Sequence, residues 1–368
     1  MTCCKPLLAA AIITTTLLGS CRFVRPPVTD QEALDFAKKI ETSIARQDMT
    51  VLDNAIDDRL FAAQVLRKAG QQFNLTLAER ARAAISELRL GHTVMADVKE
   101  SGAYKLVRHY QVNGRQHLLF RLGGGADGIN YHDFELARGA QGVRADDAYI
   151  YISGTNLTDA VMSKLLPGYG LANMSDDDRT NAQVKREAEQ YLEGGNPEEA
   201  NTYYLQASEK ARKQHNFQQL HLKIARKLSD SAYLQAMEEY RTNFPQEAYA
   251  YMMLFSYYSD KKDYPATLDA LDNFDRLLPN DPFLDYYRGL LYKVMDKPAQ
   301  SRIALKRLHN SDPLFGGAVV ELMDSYVRGG TPDSAATLIK EAERLKNITP
   351  EQLDNIKKVY PTIAPYLQ

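Results

Sequence analysis

Residues 245–279 read PQEAYAYMMLFSYYSDKKDYPATLDALDNFDRLLP, and this stretch sets the phase of everything that follows it. Pro245, Pro279 and Pro313 are 34 residues apart, and so are Tyr258, Tyr292 and Tyr326. Two residue types keeping one period over three copies mark an internal repeat. Proline stops a helix, because it lacks an N–H and its ring clashes with the preceding turn. A unit this short cannot bury its own apolar face, so neighbouring units must stack to make a core.

The pattern resembles the tetratricopeptide repeat, a 34-residue helix–turn–helix. On that resemblance, the unit from Ala248 puts Tyr251, Leu254 and Tyr258 on a first helix and Leu271 and Phe274 on a second, with Pro279 as terminator. The unit from Pro282 keeps Gly289, Tyr292, Ser301, Leu305, Leu308 and Pro313; the unit from Gly316 keeps Leu322, Tyr326, Ala335, Ile339 and Ala342. Upstream, a unit from Gln214 has Phe217, Leu220, Ile224, Met237, Tyr240 and Pro245, and a first unit from Asn181 has Ala188, Tyr191, Ala200 and Tyr204. Small residues at Ala200, Ser301 and Ala335 let paired helices approach closely. Thr267 and Tyr233 depart from the small-residue pattern. The expected layout is about five repeats over 181–349, then a capping helix within 350–368 opened by Pro350.

Such an array implies a concave face that takes a protein or peptide partner. The residues expected on it include Tyr249, Met252, Ser256, Phe283, Tyr286, Leu290, Val320 and Asp324. The Lys/Asn clamp of chaperone-tail-binding repeats is missing from these positions, so that partner class is disfavoured.

The other end of the chain reads as an address. Lys5 precedes an apolar run from Leu7 to Leu18, too short to span a bilayer, and Leu18-Gly19-Ser20-Cys21 resembles a bacterial lipobox. The resemblance implies a signal peptide over 1–20 and lipidation of the Cys21 thiol. The other two cysteines, Cys3 and Cys4, lie in the part removed, which leaves no thiol for a disulfide. Residues 21–29 form a tether stiffened by Pro26 and Pro27. Its Arg22 and Arg25 replace the acidic run of surface-exported lipoproteins, so the expected location is the bacterial envelope, held by lipid and facing the periplasm.

Between these regions, 30–166 changes texture. Thr29-Asp30-Gln31-Glu32 reads as a capping box. Ala33, Phe36, Ala37, Ile40 and Ile44 follow at helical spacing, and the helical pattern continues through 51–56, 60–68 and 77–90. Strand formers then dominate over 104–110, 117–122, 129–136 and 149–153, with Asn113-Gly114 as a type I′ hairpin signal. Helices followed by an antiparallel meander predict an α+β domain with a curved sheet wrapped on helices. The order resembles the nuclear-transport-factor-like cone-shaped domains, a superfamily holding both pocket enzymes and non-catalytic modules. Residues 167–180 read as a linker.

Gly123 to Gly128 contains G-x-G-x-x-G, but a strand follows it where a dinucleotide site needs a helix, so it reads as a hairpin loop. Strand alternation puts Tyr131, Asp133 and Glu135 on one face and Asn130, His132 and Phe134 on the other. Two readings compete. Asp133 and Glu135 could form a carboxylate pair in the mouth of a cone, with His109 or His117 as partner. They could instead be rungs paired with Arg108, Arg121 or Arg138. No metal-ligand spacing and no nucleophile motif is present, so no metal or cofactor is expected.

The function expected from these resemblances is a non-catalytic envelope scaffold, and the composition is that of a globular chain. The chain has 368 residues, 45 basic and 47 acidic, a net charge of −2, no Trp and 22 Tyr. A near-zero balance removes bulk electrostatic attraction as an argument for nucleic acid or an anionic membrane. The alternative function is a small-molecule or enzymatic pocket at Asp133, Glu135 and His109 that the repeats only position.

Overall fold

The computed structural model describes residues 26–70, 74–99, 103–125, 128–165, 175–278, 281–345 and 349–367. Cys21, the apolar leader, most of the linker, and Pro279 lie outside the described residues. An α+β unit opens the described chain and a helical solenoid closes it. Among the described residues no helix is long and apolar enough to cross a membrane.

Helix α1 (Asp30–Ala45) starts where the capping box put it: Thr29 accepts from the Glu32 N–H and Glu32 reaches back to the Thr29 N–H. Arg138 grips the same carboxylate at 2.6 Å, and this pair, with the two bonds from Thr29, holds the Glu32 carboxyl down to about 2. Helices α2 (Thr50–Asp53), α3 (Asp58–Lys68), α4 (Leu75–Leu88) and α5 (Leu90–Lys99) follow. The single helix expected over 77–90 is broken at Arg89, whose φ of 45° turns the chain sharply between α4 and α5.

The sheet is a meander of β1 (Ala103–Val112), β2 (Arg115–Gly125), β3 (Gly128–Gly139), β4 (Gly142–Ile150) and β5 (Thr155–Asn156), in sequence order and antiparallel throughout. Asn113 and Gly114 both have positive φ, 49° and 78°, as the two central residues of a type I′ turn require. The strand expected over 149–153 ends earlier, because Tyr151 to Gly154 form a turn with Gly154 at φ 62°. One face of the sheet buries Leu118, Phe120, Leu122, Phe134 and Leu136 against Phe36, Ala37 and Ile40 of α1. Helix α6 (Leu157–Leu165) closes the unit.

The solenoid begins at α7 (Asp176–Glu193), capped by Ser175, so its first helix reaches into the segment read as linker. It pairs with α8 (Pro197–Leu205), and a one-turn helix α9 (Glu209–Arg212) leads to the next unit. The remaining hairpins are α10 (His215–Leu228) with α11 (Asp230–Asn243), α12 (Ala248–Asp260) with α13 (Tyr264–Leu277), α14 (Leu284–Val294) with α15 (Pro298–Ser311), and α16 (Gly316–Arg328) with α17 (Pro332–Arg344). These five hairpins match the repeat phase. The small positions work by close approach. Ser301 donates to the Gly289 carbonyl at 2.8 Å, and a Cβ on Gly289 would stand 2.6 Å from Leu305. Thr267 is tolerated there because its hydroxyl folds back on the Asp263 carbonyl at 2.7 Å. Helix α18 (Pro350–Val359) and a 3-10 turn (Pro361–Tyr366) seat Ile356 and Ile363 on the last hairpin.

Candidate functional site

The second face of the sheet meets the solenoid at α12 to α14. The β2–β3 register sets His117 opposite Glu135, Leu119 opposite Asp133 and Arg121 opposite Tyr131, so these residues share that face. Leu119, Ile129 and Tyr131 pack into one cluster with Met252, Phe274 and Phe283. Arg121 pairs with Asp281 in a contact that leaves their side chains 7% and 1% exposed. The Tyr131 hydroxyl donates to the other Asp281 oxygen at 2.7 Å, and the Arg121 guanidinium lies 4.1 Å above the Phe283 ring. Rim contacts extend the seam. Tyr149 donates to Glu247 at 2.6 Å, Lys105 meets Asp312 at 2.5 Å, and Gln219 donates to the Gly154 carbonyl at 2.7 Å.

This packing corrects the expectation of an open groove. Tyr249, Met252 and Phe283 are buried, and Tyr249 sits directly against Gly154. The reason is physical. Leu119, Ile129 and Tyr131 need cover, and the apolar face of α12 to α14 supplies it. Asp324 is closed off differently. Burial raises its pKa, but Lys293, Arg328 and Tyr360 outweigh that and hold the carboxyl below its ordinary value. Ser256, Tyr286 and Leu290 remain half-buried, and Val320 is 43% exposed.

Below the seam lies a cavity of about 300 Å³ lined by His117, Asp133, Glu135, Tyr149, Tyr151 and Glu247, among others. The fold thus brings together three of the five residues singled out as a candidate pocket. Asp133 accepts from the Tyr110 hydroxyl and lies 3.2 Å from His117 Nδ1. Glu135 is paired with Arg115 at 2.7 Å, a partner the sequence did not nominate. Arg138 goes to Glu32 and Arg121 to Asp281. His109 faces elsewhere, 2.6 Å from the Gln116 side-chain oxygen, and Tyr131 is consumed by the seam. Burial, reinforced by Asp133 for Tyr110 and Tyr151 and by Glu247 for Tyr149, pushes these phenols up, so all three stay protonated donors. The site is a carboxylate- and phenol-lined recess. No group of three ligating side chains that could hold a metal occurs among the described residues.

Sequence reasoning missed Tyr149, Tyr151 and Glu247. Alternation on β4 could have flagged Tyr149 as the neighbour of Asp133, since the two are register partners. Nothing local could have brought in Glu247, which comes from the start of α12.

No protein-family model matches the chain, and no curated protein matches it. Among solved structures, the MamA protein is similar at 19% identity over 50% of this chain and 96% of its own, with a TM-score of 0.36. A thermophilic TPR protein from Thermus thermophilus is similar at 19% identity over 50% of this chain and 98% of its own, with a TM-score of 0.27. The described chain is an α+β unit joined to an all-α solenoid of helical hairpins.

Proposed function

We propose that the chain is a non-catalytic scaffold of the bacterial cell envelope, held to a membrane by lipid on Cys21 and facing the periplasm. Its α+β unit is a structural module similar to the nuclear-transport-factor-like domains, and its repeats recruit a protein partner. The observation that carries this reading is the distribution of uncovered apolar surface on the solenoid. The sheet covers the expected groove at Met252 and Phe283, whereas Val294, Ile303, Leu314 and Val320 of the last repeats stand 43–59% exposed. Leu205 and Leu234 are also exposed in the earlier repeats, at 53% and 36%, but the last repeats carry more such side chains, and exposed apolar side chains on a solenoid suit a protein partner. Tyr286 and Leu290 of the same repeats are half-buried. Partner contact is therefore moved from the middle of the face to its C-terminal third.

In-cell crosslinking with mass spectrometry tests this, comparing wild type with Leu290→Glu plus Val320→Glu. A protein crosslinked to wild type and lost from the folded variant supports the scaffold. Equal capture by both contradicts it.

A second reading is favoured by one observation, the cavity that joins His117 and Asp133 within 3.2 Å. It makes the recess a small-molecule site that the repeats complete through Glu247. Ligand screening by thermal shift on wild type and Asp133→Asn separates the two. Any ligand whose shift vanishes in the variant favours the recess.

A further inference from the structure

The α+β unit carries a larger concavity of its own, a half-open cleft of about 1130 Å³ between α1–α5 and the turn joining β3 to β4. The carboxylates on its wall are already engaged. Asp57 caps α3 through the N–H groups of Arg59 and Leu60, and Asp58 pairs with Arg82 at 2.6 Å. Asp53 accepts from the Gly91 N–H at 2.7 Å and lies 2.6 Å from His92 Nδ1. Four cations on the same wall, Lys39, Arg59, Arg89 and Arg144, have no ion pair among the described residues. The chain as a whole is nearly neutral, so this surplus is local.

Arg89 adds an independent sign. It alone connects α4 to α5, with φ 45° and ψ 57°. A left-handed corner favours glycine, and a side chain there is retained at a conformational cost. Arginine at this position keeps a guanidinium on the cleft wall. The first described residues of the chain also enter beside the cleft. Arg138, next to the β3–β4 turn, donates to the carbonyls of Pro26 and Pro27 at 3.1 and 3.2 Å.

We propose that this cleft binds a phosphate-bearing anion, supplied either as a free phosphate compound or as the headgroup of an anionic phospholipid. Guanidinium forks match the paired oxygens of phosphate, and a group carrying more than one negative charge answers a wall of five cations against three carboxylates, a net charge of +2, better than a single carboxylate does. The headgroup source rests on the anchored reading above; the anion site does not.

The test is thermal unfolding of the full chain in a non-ionic detergent. The additives are inorganic phosphate, short-chain phosphatidylglycerol and short-chain phosphatidylcholine, each at matched ionic strength with chloride as reference. A ligand that binds the folded state raises Tm. A rise with inorganic phosphate identifies a free anion as sufficient. A rise with phosphatidylglycerol alone identifies the headgroup. In either case Arg89→Gly should keep or raise the ligand-free Tm, because it relieves the left-handed arginine, and should weaken affinity about tenfold, as loss of one charge-assisted contact would. Arg144→Gln should weaken it similarly. No rise above chloride with phosphate or phosphatidylglycerol, or a rise equal to wild type in both variants, overturns the proposal. Failure of the anchored reading shows separately, as an intact mass without lipid on Cys21.

Discussion

The two faces of the sheet are built from the same strands and are held by different physics. The face toward α1 is largely apolar, with His132 as a buried polar exception: Leu118, Phe120, Phe134 and Leu136 interlock with Phe36 and Ile40. The face toward the solenoid mixes Leu119 and Tyr131 with a buried ion pair, Arg121 with Asp281, and a row of carboxylates and phenols. An apolar face accepts any cover of the right volume. A face with a buried guanidinium accepts only a surface that returns a carboxylate at the right place, because an unpaired buried charge is strongly unfavourable. The first face therefore supplies cohesion within the unit, and the second supplies the one orientation in which the unit sits on its solenoid.

The largest expected effect breaks the second face. Asp281→Ala strands Arg121 and the Tyr131 hydroxyl, and should cost about 3–5 kcal/mol in urea unfolding. Phe134→Ala, on the first face, should cost a similar amount, about 3–5 kcal/mol, by leaving a cavity. The comparison sharpens with Asp281→Asn. A neutral acceptor retained for Tyr131 should recover part of the loss, whereas rescue at Phe134 should follow volume alone, as in Phe134→Leu.

The next effect is a pH dependence that belongs to the first face. His132 is buried beside Tyr104 at 3.1 Å and Asn130 at 3.2 Å, and burial lowers its pKa to about 4. The Asn130 Oδ1 accepts from the Tyr131 and Ile152 N–H groups, so its Nδ2 donates to His132 Nε2 and the ring proton sits on Nδ1. Charging the ring would set two donors against each other. The folded pKa lies below the unfolded value of 6.5, so the unfolded chain binds the proton first. Its contribution is complete above about pH 6.5 and is lost as pH falls toward 4, at up to about 1.4 kcal/mol per pH unit. Urea titrations at pH 7, 5.5 and 4.5 should show this slope, and His132→Gln should flatten it.

A smaller effect lies at the rim of the second face. Tyr149→Phe removes the donor to Glu247 and should cost about 1 kcal/mol. The same change should enlarge or dewet the recess without separating the two units, which limited proteolysis of the folded variant would check. The smallest is at the α1 cap, remote from both faces. Thr29→Ala should cost about 1 kcal/mol or less, read from the same urea curves.

What the sequence disclosed follows a distance rule. The repeat phase, the Thr29–Glu32 capping box, the Asn113-Gly114 turn and the alternation that puts Asp133 and Glu135 on one face are all short-range signals, and each appears in the fold. Arg89 broke an expected helix because a left-handed arginine has no compositional signature. The filled groove was invisible because it depends on pairings such as Arg121 with Asp281, 160 positions apart. Local pattern states that a face is apolar or charged and does not name what will cover it. Met252 and Phe283 read as open groove for that reason, and Glu247 could not be assigned to the recess.

The seating of the sheet on the solenoid is tested most directly by a double-mutant cycle on Arg121→Leu and Asp281→Leu. Each single change should be strongly destabilising and the pair together much less so than their sum. A coupling of more than about 1 kcal/mol is the expected result for groups in direct contact. Additive losses, with coupling of about zero, would contradict the account by showing that the two residues do not meet.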